Sequence, residues 1–562
     1  MRRYLLIAVF LLSGLAQHAE AATRYAAPGG GAAAGCTNSG ADVCSVARAV
    51  TVATNGETIE LSAGTYPGTE LGASGYVIVS NENLSFDCVT NGACIFQPSG
   101  AGSGIRYNIP IAGTPITIDG VVVERQSGVA TDQCFWFSDA TGIYDVTVSD
   151  TVCRDTDFYD IRVVANEINL TATNNTFTSS AAYSPRSYLF TNNTWDAGSI
   201  VIQGGTTTIL SYNDTATPII NIVSASTAPS VLINNFSATW TPDPAISTGH
   251  LDGIAVKNVN NAVISNNTLT VNAGVGTVDS RMILCYSSTA GLTSDNCVIR
   301  GNTLTNKTVS GQMASIGTDA NSVGNNLSLN GLIEDNRIYC TQDATDIHGA
   351  GIFWNNGGVV RRNYVENCGI GVIGKDQNVG GLFYANIIND QWQQGLYSKG
   401  SNGVRFINNS VFTGNGVGLP VVIGADSSTS STNAVLVNNL LFGNSNATQT
   451  LLTTASSQTI AQAAANDWYG FGTTSWTYLG TVYGSLSEWN TVSPSGTDLA
   501  VNPVFNNYPN DLRLYSTSPL RQAGIRVGDY TDYRGRYFNY KPSIGAFEVG
   551  SGDFSTVRQW AI

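Results

Sequence analysis

The sequence predicts an all-β fold, a parallel β-helix in which short strands wind into a solenoid, and three observations predict it. Only 12% of the residues are charged, about half the usual share, while Gly, Asn, Ser and Thr supply the polarity. Long helices, which favour Glu, Lys, Arg and Ala on their wet faces, are disfavoured by that composition. Next, one grammar recurs along the chain: a β-type run, an Asn or Asn-Asn, and a second β-type run. It is seen in INLTATNNTF (168–177), AVISNNTLTV (262–271), VVRRNYVENC (359–368) and VRFINNSVF (404–412). Finally, the runs between these corners, such as GIAVKNV, GVIGKDQ and GLYSKGS, alternate with the period of two expected of strands with one buried face.

The chain opens MRRYLLIAVFLLSGLAQHAEAA, with two arginines, an apolar run and a small-residue cleavage site, the pattern of a secretory signal peptide over 1–21. No later segment reaches the ~18 apolar residues of a membrane span. The expectation is an exported protein, secreted or periplasmic. Residues 22–70 are assigned to an N-terminal cap and first coil. There ADVCSVARAVTVA (41–53) predicts a short capping helix with Val43, Val46, Ala47 and Val50 on one face, placed to cover the open edge of the solenoid. Residues 71–445 are read as the coils and 446–562 as a turn-rich C-terminal cap of the same domain, because the Asn grammar fades past Asn439.

The asparagines at positions 175, 193, 235, 267, 302, 336, 363, 386, 409 and 439 are expected to stack as a ladder, each at a tight corner, since Asn tolerates the left-handed conformation and bonds local backbone. Many of these corners match the N-glycosylation acceptor pattern; the repeat itself accounts for that, so they are no evidence of glycans. All ten cysteines lie between Cys36 and Cys368 with no CxxC pair, which favours disulfides over zinc in an exported chain. Sequential pairing is expected: Cys36 with Cys44, Cys88 with Cys94, Cys134 with Cys153, Cys285 with Cys297, and Cys340 with Cys368. A net charge of -14 argues against a nucleic-acid partner; the expected state is a monomer.

RYAAPGGG (24–31), the helix and GETIELSAGTYPG (56–68) resemble the opening of secreted right-handed parallel β-helix proteins of the pectate-lyase-like superfamily. WTYLGTVYGSLSEWNTVSPSGTD, NPVFNNYPNDLRLYSTSPLRQAG and SIGAFE (543–548) are similar to that group's closing segment. The likeness covers nearly all of the chain after residue 21. It implies a right-handed solenoid and, because the superfamily includes polysaccharide lyases, glycoside hydrolases, epimerases and proteins with no established activity, a carbohydrate connection without a defined reaction.

GIGVIGKD (369–376) is one residue short of the phosphate-loop pattern GxxxxGK[ST], but Asp376 replaces the hydroxyl residue and no helix follows to face an anion. Its lysine is better read through the strands. With Ile370 and Val372 facing in, Gly371, Ile373 and Lys375 face out; with Leu396 and Ser398 in, Tyr397 and Lys399 face out. Coils stack ~4.8 Å apart, so Lys375 and Lys399 become neighbours on one outer face, with Phe353 and Asn355 on the preceding coil. Asp346 and His348 sit at its leading corner, and His250, Asp252 and Lys257 repeat the theme earlier. Two adjacent cations depress one another's pKa, which suits one as a general base while the other neutralises a substrate carboxylate. β-Elimination from a uronate polymer requires that combination. Catalytic candidates are thus Lys375, Lys399 and His348, and substrate-binding candidates Phe353, Asn355, Tyr397 and Arg361.

Other readings of the same residues stay open: a non-catalytic glycan-binding or surface-structural solenoid, in which the lysines are solubility residues, or a hydrolase or epimerase on the same fold. Hydrolysis needs two carboxyl groups across a cleft, and Asp252, Asp279, Glu334, Asp335, Asp346 and Asp376 compete for those roles. No GxSxG motif occurs. The spacing of neither His250 nor His348 fits a metal site; no cofactor is certain, and calcium on Asp and Asn oxygens is the possible one.

Overall fold

The computed structural model describes residues 22–549 except 32–34, 41, 81, 100–101, 109, 126–130, 139–142, 157–158, 165–166, 180–185, 191–196, 213–217, 227–228, 244–249, 273–278, 290–291, 308–313, 318–329, 342–348, 355–356, 376–378, 414–417, 427–428, 444–449, 473–474 and 550 onward. Each coil contributes one strand to each of three parallel sheets: Val359–Arg361 to the first, Tyr364–Glu366 to the second and Ile370–Lys375 to the third, with the next coil repeating the order. The first sheet holds 16 strands, from Thr23–Gly31 to Ile460–Ala464, and the second 15, from Gly64–Pro67 to Asp467–Tyr469. The third runs from Val77–Ser80 to Trp476–Tyr478. This is the parallel β-helix that the repeat predicts, with the right-handed coil that the resemblance implies.

Alternation fills the interior with aligned apolar side chains. Ile352, Val372, Leu396, Val421 and Leu451 lie in register through consecutive third-sheet strands, all fully buried. Burying each such side chain contributes roughly 1.5–3 kcal/mol, and because every coil touches only its neighbours the stability accumulates coil by coil. All five expected disulfides are present, Cys36–Cys44, Cys88–Cys94, Cys134–Cys153, Cys285–Cys297 and Cys340–Cys368.

The corner between first and second sheets uses two residues with separate tasks. The first takes positive φ: Asn174, Asn235, Asn266, Asp335, Arg362, Ala385, Asn408, Asn438 and Ala465 all do so. The second is buried, and from Asn267 to Asn466 it is Asn at each described coil. Asn336 shows its work: backbone N–H and Nδ2 both donate to Asn363 Oδ1 on the next coil, and Nδ2 also donates to the Ile299 carbonyl. Left-handed tolerance therefore belongs to the preceding residue, and the ladder Asn is selected for coil-to-coil bonding. Asn235 is corrected accordingly. It occupies the left-handed position, while Phe236 fills the ladder slot and donates its N–H to Asn267 Oδ1. Asn193 lies outside the described residues.

The ladder also outlasts the Asn-Asn signal. Asn439 donates to Asn466, and Asn466 donates through N–H and Nδ2 to Asp498 Oδ1. A carboxylate ends the chain of donors because it accepts without needing an acceptor of its own; its other oxygen takes the indole N–H groups of Trp468 and Trp489. Coils thus continue to Tyr478, past the expected boundary at 445.

The N-terminal helix is Val46–Val52, shorter than expected because Ser45 caps it, accepting from the Arg48 N–H, while Cys44 pairs with Cys36. Its Val46 and Ala49 join the main core, closing that end. At the far end the helix Leu486–Val492 inserts Trp489 against Trp476. The remaining tail does not cover the end; it runs back along the corners, where Asn408 Nδ2 donates to the Ser543 and Gly545 carbonyls and Asn438 to Ile525.

Candidate functional site

Lys375 and Lys399 are paired residues on adjacent third-sheet strands, Ile370–Lys375 and Gln394–Lys399. Two positions earlier on the same face, Phe353, Ile373 and Tyr397 follow one another in register. Ala350, Ile370, Ile373, Phe353 and Tyr397 form an apolar cluster separate from the core, and Lys375 Nζ lies 5.1 Å from the centre of the Phe353 ring. The Tyr397 ring leans over Gly424, the residue opposite Lys399: a Cβ there would come within 2.9 Å of the tyrosine hydroxyl. Glycine at 424 thereby leaves room for the Tyr397 ring on the coil next to Lys399.

Ile370 is corrected from inward to outward. Gly371 faces the interior instead, where an added Cβ would meet Ile388 Cγ2 at 2.4 Å, and Val372 is interior as well. Two successive inward residues shift the alternation, so Ile370 joins the outer cluster and extends the apolar floor beside the lysines. Gly351 and Gly395 face inward at the matching place on the flanking coils, against Val365 and Val411.

Arg361 is not brought to this face. It lies on the first sheet, where Nε donates to Glu334 Oε2 and Nη1 to the Tyr384 hydroxyl. Tyr384 in turn packs on Tyr530 of the returning tail. Arg362 binds Asp335, Glu334 and the Thr531 hydroxyl, and its hydrogen bonds to Asp335 raise its pKa above the ordinary value. Removing one partner of such a part-buried network leaves an uncompensated charge, so Arg361 reads as a fastener for the tail. His348, Asp346, Asn355 and Asp376 lie outside the described residues, as do the side chains of His250 and Asp279.

Among the carboxylates considered for hydrolysis whose side chains are described, each is ion-paired: Asp252 with Arg281, Glu334 with Arg361 and Arg362, Asp335 with Arg362. Among the described residues the one group with metal-ligand proximity is Cys134, Cys153 and Asp160, but the two sulfurs are joined in a disulfide and offer no thiolate. No described helix is long and apolar enough to cross a membrane.

The third sheet carries further cation–aromatic contacts that motif reading missed. Lys257 Nζ stands 5.5 Å from the Tyr286 ring centre, and Trp136 lies between the guanidinium groups of Arg106 and Arg162 at 3.7 and 4.8 Å. The signal that finds them is register counted from the corners, since IRYN, CFWF and DIRV each put the relevant side chain at the same outward phase.

No protein-family model matches the chain, and a search of curated proteins finds no match. Among solved structures, a pectate lyase is similar over 94% of this chain and 96% of its own, at 14% identity and a TM-score of 0.24. The A-module of a mannuronan C-5 epimerase from Azotobacter vinelandii is similar over 79% of this chain and 90% of its own, at 11% identity and a TM-score of 0.30. At such TM-scores neither likeness carries an argument; the solenoid stands on its own strand pairing.

Proposed function

We propose that this chain is an exported protein that acts on an acidic polysaccharide and cleaves it by β-elimination, with Lys375 or Lys399 as the base. The observation that carries the reading is the register pairing of these lysines beside the Phe353, Ile373 and Tyr397 surface. An apolar and aromatic floor takes the C–H face of a pyranose ring, and an ammonium group takes its carboxylate. With the carboxylate charge held by one lysine, the other amine removes the C5 proton. The C5–H electron pair forms the C4–C5 double bond, the C4–O bond breaks, and the departing oxygen is protonated.

The ion pairing of Asp252, Glu334 and Asp335 favours this route over a two-carboxyl hydrolysis. The five disulfides fit an oxidising compartment. Incubation with pectate, alginate and glycosaminoglycans, read at the ultraviolet absorbance of unsaturated uronate, tests the proposal. Product on one of them, persisting in chelator, supports a lysine rather than calcium as the neutralising cation. Silence on all three removes the lyase, and retention on an acidic glycan without product makes this a binding solenoid.

A further inference from the structure

We infer that the outer face of the second sheet carries an ice-binding surface, a net of hydroxyl and methyl groups that takes the face of an ice crystal. It does not rest on the functional reading above and lies on a different sheet from the lysine pair. Five consecutive coils contribute to it, through the strands Thr176–Ser179, Thr206–Tyr212, Ser237–Pro242, Thr268–Val271 and Thr303–Asn306. One column pairs Thr176, Thr206, Ser237, Thr268 and Thr303 in register, and a second pairs Thr178, Thr208, Thr239, Thr270 and Thr305. Between the columns Phe177, Thr207, Ala238, Leu269 and Leu304 are buried, so alternation turns both columns outward.

Strand propensity alone does not give this pattern. Threonine suits any half-buried strand, but the same two outward positions hold Val152 and Arg154 on the coil before the array and Arg337 and Tyr339 on the coil after it. Within the array no position is charged or aromatic, and every one is exposed or half-buried. Among the described residues none of these hydroxyls has a hydrogen bond within the protein, so each keeps its donor and its lone pairs for water. Further along the same sheet the returning tail is seated on the outer face, where Ile387 and Leu440 pack with Leu512, Ile544 and Phe547. The apolar part of the face is thus covered, and the threonine rows are left open.

The spacing of the hydroxyls in two directions identifies the occupant. Rows repeat at ~4.8 Å along the solenoid axis, the two columns stand roughly 6.6 Å apart along the strand, and the net is about 19 Å long. These repeats lie close to those of the oxygen net on a prism face of hexagonal ice, whereas a dissolved polymer repeats in one direction only. Pairing runs without a register shift through the array, the one irregularity falling after Ile209. β-Branching restricts the rotamers of each threonine, so little side-chain entropy remains to be lost when the net is held against a crystal. Hydroxyls then stand in for lattice water and the methyls fill the troughs between them; Ser237 is the one position that lacks a methyl.

The test is thermal hysteresis of the full chain, together with capture of fluorescently labelled protein by slowly growing ice. Wild type is expected to open a gap between melting and freezing points that widens with protein concentration, to facet the crystals and to enter the ice. Thr208→Tyr with Thr239→Tyr, which raises two rings from the middle of the net, is expected to narrow the gap roughly tenfold by breaking the flat contact. The same change at Thr147 and Thr171, paired on the first sheet, is expected to leave the gap unchanged at equal Tm. Ser237→Thr, which supplies the missing methyl, is expected to widen it. Lys375→Gln is expected to keep full ice binding, so this surface and the lyase reading fail separately. Absence of a gap with exclusion of the wild type from ice overturns the proposal, as does a wild-type gap in the Thr208→Tyr, Thr239→Tyr variant or capture by crystalline cellulose in place of ice.

Discussion

Replacing Asn267 by Ala tests the division of labour at the solenoid corner, because its neighbour Asn266 provides the control. Asn267 is fully buried, accepts from the Phe236 N–H and donates Nδ2 to the Ile233 carbonyl and to Asn302 Oδ1. Truncation removes these three bonds, each worth about 1 kcal/mol net, and strands the buried Phe236 N–H, whose desolvation costs about 1–3 kcal/mol. Asn302 Oδ1 keeps the Asn267 backbone N–H, which limits the loss. The expected destabilisation is about 4–6 kcal/mol. Asn266 is exposed, has φ of 56° and makes one exposed bond to Asn234; glycine accepts that conformation, so Asn266→Gly is expected to change stability by no more than ~0.5 kcal/mol. Urea unfolding followed by circular dichroism, with amide exchange at Phe236, reads both variants. Equal effects of the two substitutions would refute the claim that left-handed geometry and coil-to-coil bonding are carried by different residues.

The other expectations follow from buried carboxyls and cross-links. Burial holds the Asp160 carboxyl well above its usual range, against the opposing hydrogen bond from Thr156. The stability it contributes is complete below the unfolded value near 4 and is lost as pH rises towards the folded one. Asp160→Asn should thus flatten the fall of Tm across the neutral range, and a steeper fall would contradict this. Asp467 is pushed up to about 7 by burial, with Asp498 adding to the rise and the Val501 N–H opposing it. Its contribution is present below pH 4 and disappears through pH 7, so Asp467→Asn should remove a pH-dependent loosening visible in exchange at the C-terminal end. Serine at both members of Cys340–Cys368, which spans 28 residues, should cost about 3.6 kcal/mol, against about 2.2 kcal/mol for Cys88–Cys94, which spans 6; the reverse order in urea unfolding would count against loop entropy as the cause.

The fold was legible because one chemical device repeats: the buried Asn needs a partner Asn one coil away, so the sequence must restate it. Where another residue fills the slot, as Phe236 and Asp498 do, the pattern breaks although the geometry continues. The lysine pair was legible because both strands share the phase of alternation. Ile370 was not, since an inward glycine leaves no side-chain mark of its direction. Arg361 was misplaced because its partners Tyr384 and Tyr530 depend on a tail that returns from far along the chain. The Arg106–Trp136–Arg162 stack joins strands whose spacing varies with loop length, so no fixed period exposes it.

The central claim is that the paired amines act on an acidic sugar. The direct measurement is the rate of unsaturated uronate formation by wild type, Lys375→Gln and Lys399→Gln at equal folded concentration. Turnover by the variant lacking the base is expected to fall at least a hundredfold, and the other variant to lose mainly affinity for the polymer. Wild-type turnover in both variants would contradict it.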